Sequence, residues 1–242
     1  MAIFPPAATA RAAEFREKLN NRVLVADGAM GTMLYSKGVF INRCFDELNL
    51  SAPAMVREIH DEYVRAGAEI LETNTFGANR PRLAAFGFAE RLREINHAGV
   101  MLARGAAGGA AFVAGSIGPL GLRIEPLGPT SFAEARAFFA EQASALIEAG
   151  VDLLILETFA NLDELREAIF AARDTAGQEM AIVAQATIDD FGNMPDGADP
   201  ATFTVKLDGW PVDAIGLNCS AGPKVMLETI ERMAAHTTKP LV

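Results

Sequence analysis

Residues 148–159 read EAGVDLLILETF, and residues 65–76 read RAGAEILETNTF. Each phrase runs from a helix tail through Ala-Gly to one acidic residue, an apolar run and Glu-Thr. The apolar run reads as a buried strand. A carboxylate ending such a strand is costly to keep unless something pairs with it or uses it. Glu72 and Glu157 hold equivalent places 85 residues apart. The repetition predicts a βα unit used more than once, with a site at the carboxyl ends of its strands.

Working outward, further β-rich runs are RVLVAD (22–27), FVAGSIG (112–118), AIVAQAT (181–187), DAIGLNC (213–219) and an incipient KPLV (239–242). With EILET (69–73) and DLLILET (152–158) they make seven strands. Successive strand ends lie about 29 to 46 residues apart, which leaves room for the crossover that a parallel pair requires. Helical periodicity fills the gaps. SAPAMVREIHDEYVRAG starts with Ser51 as N-cap, has Pro53 in its first turn and stops at Gly67. TSFAEARAFFAEQASALIEAG runs from Thr130 or Ser131 to Gly150, and NLDELREAIFAARDTAG stops at Gly177. GPKVMLETIERMAAH follows Cys219, with Pro223 near its first turn. Glycine after a helix is the usual left-handed stop.

Strands alternating with helices predict a parallel α/β fold. Polar residues end nearly every strand, which favours a (β/α)8 TIM barrel over an open sheet, because that barrel builds its active site at the strands' carboxyl ends. On this count the barrel is truncated after about strand seven, and the chain is expected to be a fragment of a longer polypeptide. Residues 1–21 read as an N-terminal arm and short helix, and residues 22–242 as a barrel domain incomplete at its C-terminus.

Composition narrows the class. Half of the 242 residues are hydrophobic, enough for a sizeable core, yet no apolar run approaches the roughly 20 residues of a membrane span. A formal net charge of −10 argues against nucleic acid as a partner, which calls for a basic footprint. No membrane partner is expected either. Two cysteines, Cys44 and Cys219, make no disulfide framework, and a reducing cytoplasm is the simplest setting.

Strand one ends in DGAMGT (27–32), where Asp27 meets the barrel mouth and Gly28 leaves backbone N–H groups open to a carboxylate or phosphate. An ordinary strand-to-loop turn is the competing reading. Strand two ends in ETNTFGANR (72–80), where Asn74 either orients a substrate or caps a loop. Ser116 ends strand three in GSIGPLG, a stretch that also reads as a simple turn. Glu157 suits an ammonium group, or alternatively a structural pairing with a neighbouring strand. Cys219, in GLNCSAGP, stands just before a helix, where thiolate is favoured and where a barrel places its chemistry. Cys44 reads as structural. The three histidines fall in helical stretches without metal-ligand spacing, no lysine ends a strand, and no GxSxG is present.

Taken together, DGAMGT, ETNTFGAN, ETF and GLNCS resemble the homocysteine S-methyltransferase family, over about Arg22 to Val242. That family includes the first module of cobalamin-dependent methionine synthase and the betaine–homocysteine methyltransferases. MLYSKGVFINRCFDELNL and GSIGPLGLRIEPLGPTS are similar to bacterial proteins that fuse this barrel to a methylenetetrahydrofolate reductase. The resemblance implies a (β/α)8 barrel that transfers a methyl group to the thiol of homocysteine, giving methionine. It implies zinc held by three cysteines, of which Cys219 matches the first. The other two, a Cys-Cys pair in a Gly-Gly-Cys-Cys loop, are expected beyond residue 242. It implies Asp27 and Glu157 at the amino group of homocysteine, and backbone N–H groups near Gly28 and Ala29 at its carboxylate. The methyl donor is left open among cobalamin, folate and sulfonium or betaine types, with a fused reductase or cobalamin module as an expected partner.

Two rival readings stand beside this one. A magnesium-dependent barrel would use Asp27, Glu72 and Glu157 as oxygen ligands. A non-catalytic truncated barrel would only bind a small amino acid or fold with a partner, its open strand edges inviting association. Only the thiol-transfer reading needs Cys219.

Overall fold

Five of the seven expected strands form one parallel sheet in a computed structural model that describes residues 6–242, with side chains from residue 10 onward. They are β1 (Ile70–Glu72), β2 (Phe112–Ile117), β3 (Leu153–Phe159), β4 (Ala181–Ala186) and β5 (Ala214–Leu217), and their spatial order is their chain order. The two outer expectations survive only as single bridges. Ala26 pairs with Ile70 at one edge, and Leu241 pairs with Ile215 at the other. Val23 and Val25 are exposed, so the segment 22–27 meets a neighbour on one side only, where a ladder is easily lost. With both bridges counted, seven strand positions run in the consecutive parallel order of a (β/α)8 barrel.

The helices that cross between strands are α4 (Pro53–Ala66), α6 (Leu92–Ala107), α7 (Phe132–Ala149), α8 (Leu162–Ala176), α9 (Pro200–Gly209) and α10 (Pro223–Ala234). Ser131 caps α7 in a reciprocal capping box with Glu134, and Gly150 ends that helix at φ 90°. Asn161 caps α8 by accepting from Glu164 N–H at 2.8 Å. Ser51 corrects the expectation for α4. The short helix α3 (Leu48–Ser51) already winds the residues before Pro53, so Ser51 is itself helical and its hydroxyl donates back to Glu47. Ala52 stands at the N-cap instead, with no side-chain cap. Short helices α2 (Met30–Ser36) and α5 (Arg80–Ala84) follow the first two strand positions.

Strand alternation sorts the core into two layers. Leu71, Val113, Leu154, Leu156, Ile182, Ala184 and Ile215 point outward and pack under the helices. Gly115 also faces outward. A Cβ there would stand 3.1 Å from Leu146 of α7 and 3.0 Å from Leu154, so its absence lets the helix close on the sheet. Ile70, Phe112, Ala114, Leu153, Ile155, Ala181, Val183 and Ala214 point inward and fill the lower barrel. The helix α1 (Pro6–Asn21) plugs that lower end, with Phe15 buried edge-on against Phe112 at 5.5 Å between ring centres. Residues 1–5 of the expected N-terminal arm lie outside the described residues.

The acidic residue that opens each strand phrase has a shared task at this lower end. Asp152 accepts from Val113 N–H of the preceding strand at 2.8 Å and takes a two-pronged ion pair from Arg104 at 2.8 and 2.9 Å. Asp213 accepts from Ile182 N–H at 2.8 Å and pairs with Arg16 of α1 at 2.6 Å. Glu69 reaches Val25 N–H at 3.4 Å and pairs with Arg22. Each carboxylate therefore ties a strand start to its neighbour. Breaking a buried pair from one side costs about 3–5 kcal/mol. Asp152→Ala is expected to lower stability by about 3 kcal/mol in denaturant unfolding, whereas Arg93→Ala, which removes the exposed pair with Glu148, leaves it nearly unchanged.

Candidate active site

Above the apolar layer, the next inward position of β1 to β4 is polar, and on β5 Gly216 holds that place with a polar residue two positions on. It is Glu72 on β1, Ser116 on β2, Glu157 on β3 and Gln185 on β4, with Asn218 directly after β5. These side chains floor a cavity of about 1000 Å³ at the carboxyl ends of the strands. All seven residues singled out in the sequence line it: Asp27, Gly28, Ala29, Asn74, Ser116, Glu157 and Cys219. The outer wall is largely apolar, with Ile41, Phe45, Phe76, Pro81, Phe86 and Leu122, and it also carries Arg43 and Arg82.

Asn218 joins the two halves of the polar floor. Its amide nitrogen donates to Glu157 Oε2 and to Thr158 Oγ1, both at 2.8 Å, and lies 3.7 Å from Cys219 Sγ. Its amide oxygen accepts from Thr158 N–H at 2.7 Å. Ser116 holds the other oxygen of Glu157 from the opposite side, donating to Oε1 at 2.5 Å. Glu157 is thus held at both oxygens, and its Asn218 anchor adjoins the thiol. Thr158, Cys219 and Ser220 all have left-handed backbones, with φ of 63°, 60° and 66°. Such angles are uncommon for residues with a Cβ, and they gather where the surrounding structure imposes them. Here Asn218 clamps Thr158, and Thr187 Oγ1 donates to Ser220 Oγ at 2.8 Å.

The carboxyl groups are crowded. Both oxygens of Asp27 accept from Glu72 N–H at 3.1 Å. Burial, with a further push from the charge of Glu157, nonetheless raises Asp27 to about 7. Burial also drives Glu72 well above the ordinary carboxylate range; the charges of Glu157 and Asp27 and a hydrogen bond to Glu157 add to that shift. Burial among like charges thus favours the protonated form of Glu72.

Several expected residues are placed differently from one another. Asn74 reaches the cavity, but its amide nitrogen donates to Phe45 carbonyl at 2.8 Å and to Asn49 Oδ1 at 3.0 Å, tying down the loop at 45–49. Cys44 is buried beside Asp46, and burial with that charge pushes its thiol up to about 11. Cys219 is exposed to the cavity. Among the described residues, no three His, Cys, Asp or Glu side chains are grouped to hold a metal ion. The floor residues missed in the sequence are Asn218, Thr158 and Gln185. Counting inward positions by twos along each strand would have found Gln185. Its Oε1 is buried without a hydrogen-bond partner, a state that costs about 1–3 kcal/mol.

Fold and cavity together define a parallel α/β barrel protein that joins carboxylates and a thiol at its strand ends. A family profile described as homocysteine S-methyltransferase matches residues 24–242. The chain is 32% identical over 238 residues to the methionine synthase of Mycobacterium tuberculosis and 31% identical over 240 residues to that of Mycobacterium leprae. Those alignments take in 92% and 93% of this chain but 20% of each relative, so the chain spans about a fifth of the length of the curated relatives it matches. The crystal structure of the homocysteine methyltransferase MmuM from Escherichia coli, in its metallated form, superposes with a TM-score of 0.81 at 28% identity, covering 93% of this chain and 84% of that one. Its apo form gives a TM-score of 0.75 at 28% identity, covering 93% of this chain and 82% of that one. The chain belongs to the homocysteine S-methyltransferase family.

The raised pKa of Glu72 has a consequence for stability. An acid whose folded pKa is raised binds more protons folded than unfolded, so stability falls as pH rises from the unfolded value of 4.5 through the folded one. Glu72→Gln keeps the donor to Glu157 and removes that loss. It is expected to raise Tm at pH 8, by roughly 2–4 °C for each 1 kcal/mol relieved in a chain of this size, and to change it little at pH 5. Scanning calorimetry at the two pH values decides this.

Proposed function

We propose that the chain is the homocysteine-binding barrel of an enzyme that transfers a methyl group to the sulfur of homocysteine, giving methionine. The observation that carries this reading is the Glu157–Asn218–Cys219 connection, which sets a fixed carboxylate and a thiol on one hub. The ammonium group of the amino acid is held by Glu157 and Asp27, and its carboxylate by the backbone N–H groups of Gly28 and Ala29. Ser116 and Asn218 fix Glu157, so the substrate is oriented by groups that do not reorganise during reaction. Asn74 acts one step back, by holding the loop at 45–49 against the cavity. In the transfer a carbon–sulfur bond forms, the bond from methyl to donor breaks, and the thiol proton is lost.

The cavity exceeds what one small amino acid fills. The apolar outer half receives the methyl donor, whether cobalamin, folate or a sulfonium or betaine compound. A fused reductase or cobalamin module would present it there. Both cysteines are free and no described helix is long and apolar enough to cross a membrane, which suits a cytoplasmic enzyme.

Zinc fits this donor set only in part. Cys219 would hold the ion, a catalytic zinc needs three protein ligands, and one thiol does not supply them. We infer that two further cysteine thiolates come from outside residues 1–242, and no step above runs through the metal. Residues 1–242 alone are expected to lose added zinc on desalting and to show little methyl transfer to homocysteine. Stoichiometric, tightly held zinc by metal analysis would overturn the need for outside ligands. In the enzyme with its ligand set complete, Cys219→Ser is expected to abolish transfer. Activity surviving that change would point to chemistry built on the carboxylates.

Ligand affinity should depend on pH through Asp27. A carboxylate pairs with ammonium and a neutral acid does not, so binding weakens as pH falls through about 7. The dissociation constant of L-methionine is expected to rise by up to about tenfold per pH unit below that point. Asp27→Asn is expected to flatten the profile and weaken binding at pH 8. Titration calorimetry across this range would show a level profile in the wild type if Asp27 plays no part.

A further inference from the structure

The amide of Gln185 is a buried polar group that the fold itself leaves unpaired. It is the last inward residue of β4, only 6% exposed, and its Oε1 finds no hydrogen-bond partner. It nevertheless lines the cavity, in the same inward ring as Glu157 and one strand from Asn218. Apolar residues fill the two inward positions below it, Val183 and Ala181, so the strand turns polar only where it meets the cavity. Buried amides are almost always paired. An amide at a cavity floor whose oxygen the fold leaves unpaired therefore points to a partner that arrives with the ligand.

The chemistry of that partner follows from the neighbours. Asp27 and Glu157 line the same cavity as Gln185, and their acid groups favour a cationic group over an anionic one. A primary ammonium carries three N–H donors. Asp27 and Glu157 answer two of them under the reading of this site as one for an amino acid, on which the present inference rests. The terminal torsion of glutamine is soft and two-fold, so a half-turn exchanges Oε1 and Nε2 and brings the oxygen to the cavity side. The geometry points to Gln185 as the third acceptor for the substrate's ammonium group, a positioning residue that makes the site specific for an unsubstituted α-amino acid over its des-amino analogue.

Two thioethers test this without the metal: L-methionine, and 4-(methylthio)butyrate, which lacks only the amino group. Gln185→Met is close in shape and has no amide. It is expected to raise the dissociation constant of L-methionine about tenfold or more, the worth of a hydrogen bond to a charged group, and to leave 4-(methylthio)butyrate within about twofold. Thermal stability is expected to be unchanged or higher, because the substitution removes an unpaired buried carbonyl; a structural glutamine would instead lower Tm. Equal affinity of wild type and Gln185→Met for L-methionine, with wild type still preferring it over the des-amino compound, would overturn the role of Gln185 and leave the site reading standing. A wild type that binds neither compound, or binds both alike, would overturn the site reading and this inference with it. Glu157→Gln in parallel marks the loss expected when an ammonium acceptor is removed.

Discussion

A parallel strand buried on both faces has no solvent side, and this constraint shapes the whole molecule. Every outward side chain must serve the helices and every inward one the barrel. The outward set is Leu, Ile, Val and Ala, with Phe159 at the end of β3 and with Gly115 leaving room for Leu146 of α7. The inward set begins the same way and then changes within one step, from Ile70 to Glu72, Ala114 to Ser116, Ile155 to Glu157 and Val183 to Gln185. A polar floor at that depth has no water above or below it except through the cavity. Its groups must answer one another or a ligand, and Glu157 and Asn218 do the first.

The two ends of each strand carry acids for opposite reasons. At the lower end Asp152 and Asp213 each accept from a backbone N–H and face arginine, so charge is fully answered. At the upper end Asp27 and Glu72 lie near Glu157 with no arginine or lysine paired to them, and burial with that neighbouring charge raises the pKa of both. The phrase at 65–76 therefore contains an acid answered by arginine, Glu69, and an acid raised by burial and like charge, Glu72, three residues apart. A group of like acids left without a cation is the arrangement expected where function rather than folding chose the residues.

Much of this was legible in the chain itself. The repeated phrase located β1 and β3, the alternation with helices predicted parallel order, and Asp27, Ser116, Glu157 and Cys219 do reach one cavity. What could not be read has physical causes. The run 22–27 has strand composition, but pairing depends on a neighbour at each edge, and only Ala26 registers as a bridge. Ser51 looks like a cap because local sequence cannot show that α3 already occupies the turn before Pro53. Asn74 looks like a ligand because its type suits one, yet its donors meet Phe45 and Asn49, partners about 25 to 29 residues away in the chain. Asn218 and Gln185 escaped for the converse reason: each sits in a strand phrase whose neighbours drew the attention, and only the shared inward register brings them beside Glu157.

That register also explains why the cavity is graded. The floor is rigid, because its members sit on strands or one residue beyond, while the outer wall comes from loops and the short helix α5. A small charged molecule is best held by groups that do not move, and a bulky or delivered one by a wall that yields. The left-handed residues Thr158, Cys219 and Ser220 lie at the junction of the two. Thr158 sits at an irregularity within β3, Cys219 and Ser220 turn the chain off β5 beside the cavity that the thiol lines, and Asn218 ties the two by bonding both the backbone of Thr158 and the carboxylate of Glu157. Loss of Asn218 would free the carboxylate and relax the backbone beside the thiol at once, so substrate orientation and thiol placement are one mechanical unit rather than two neighbouring features.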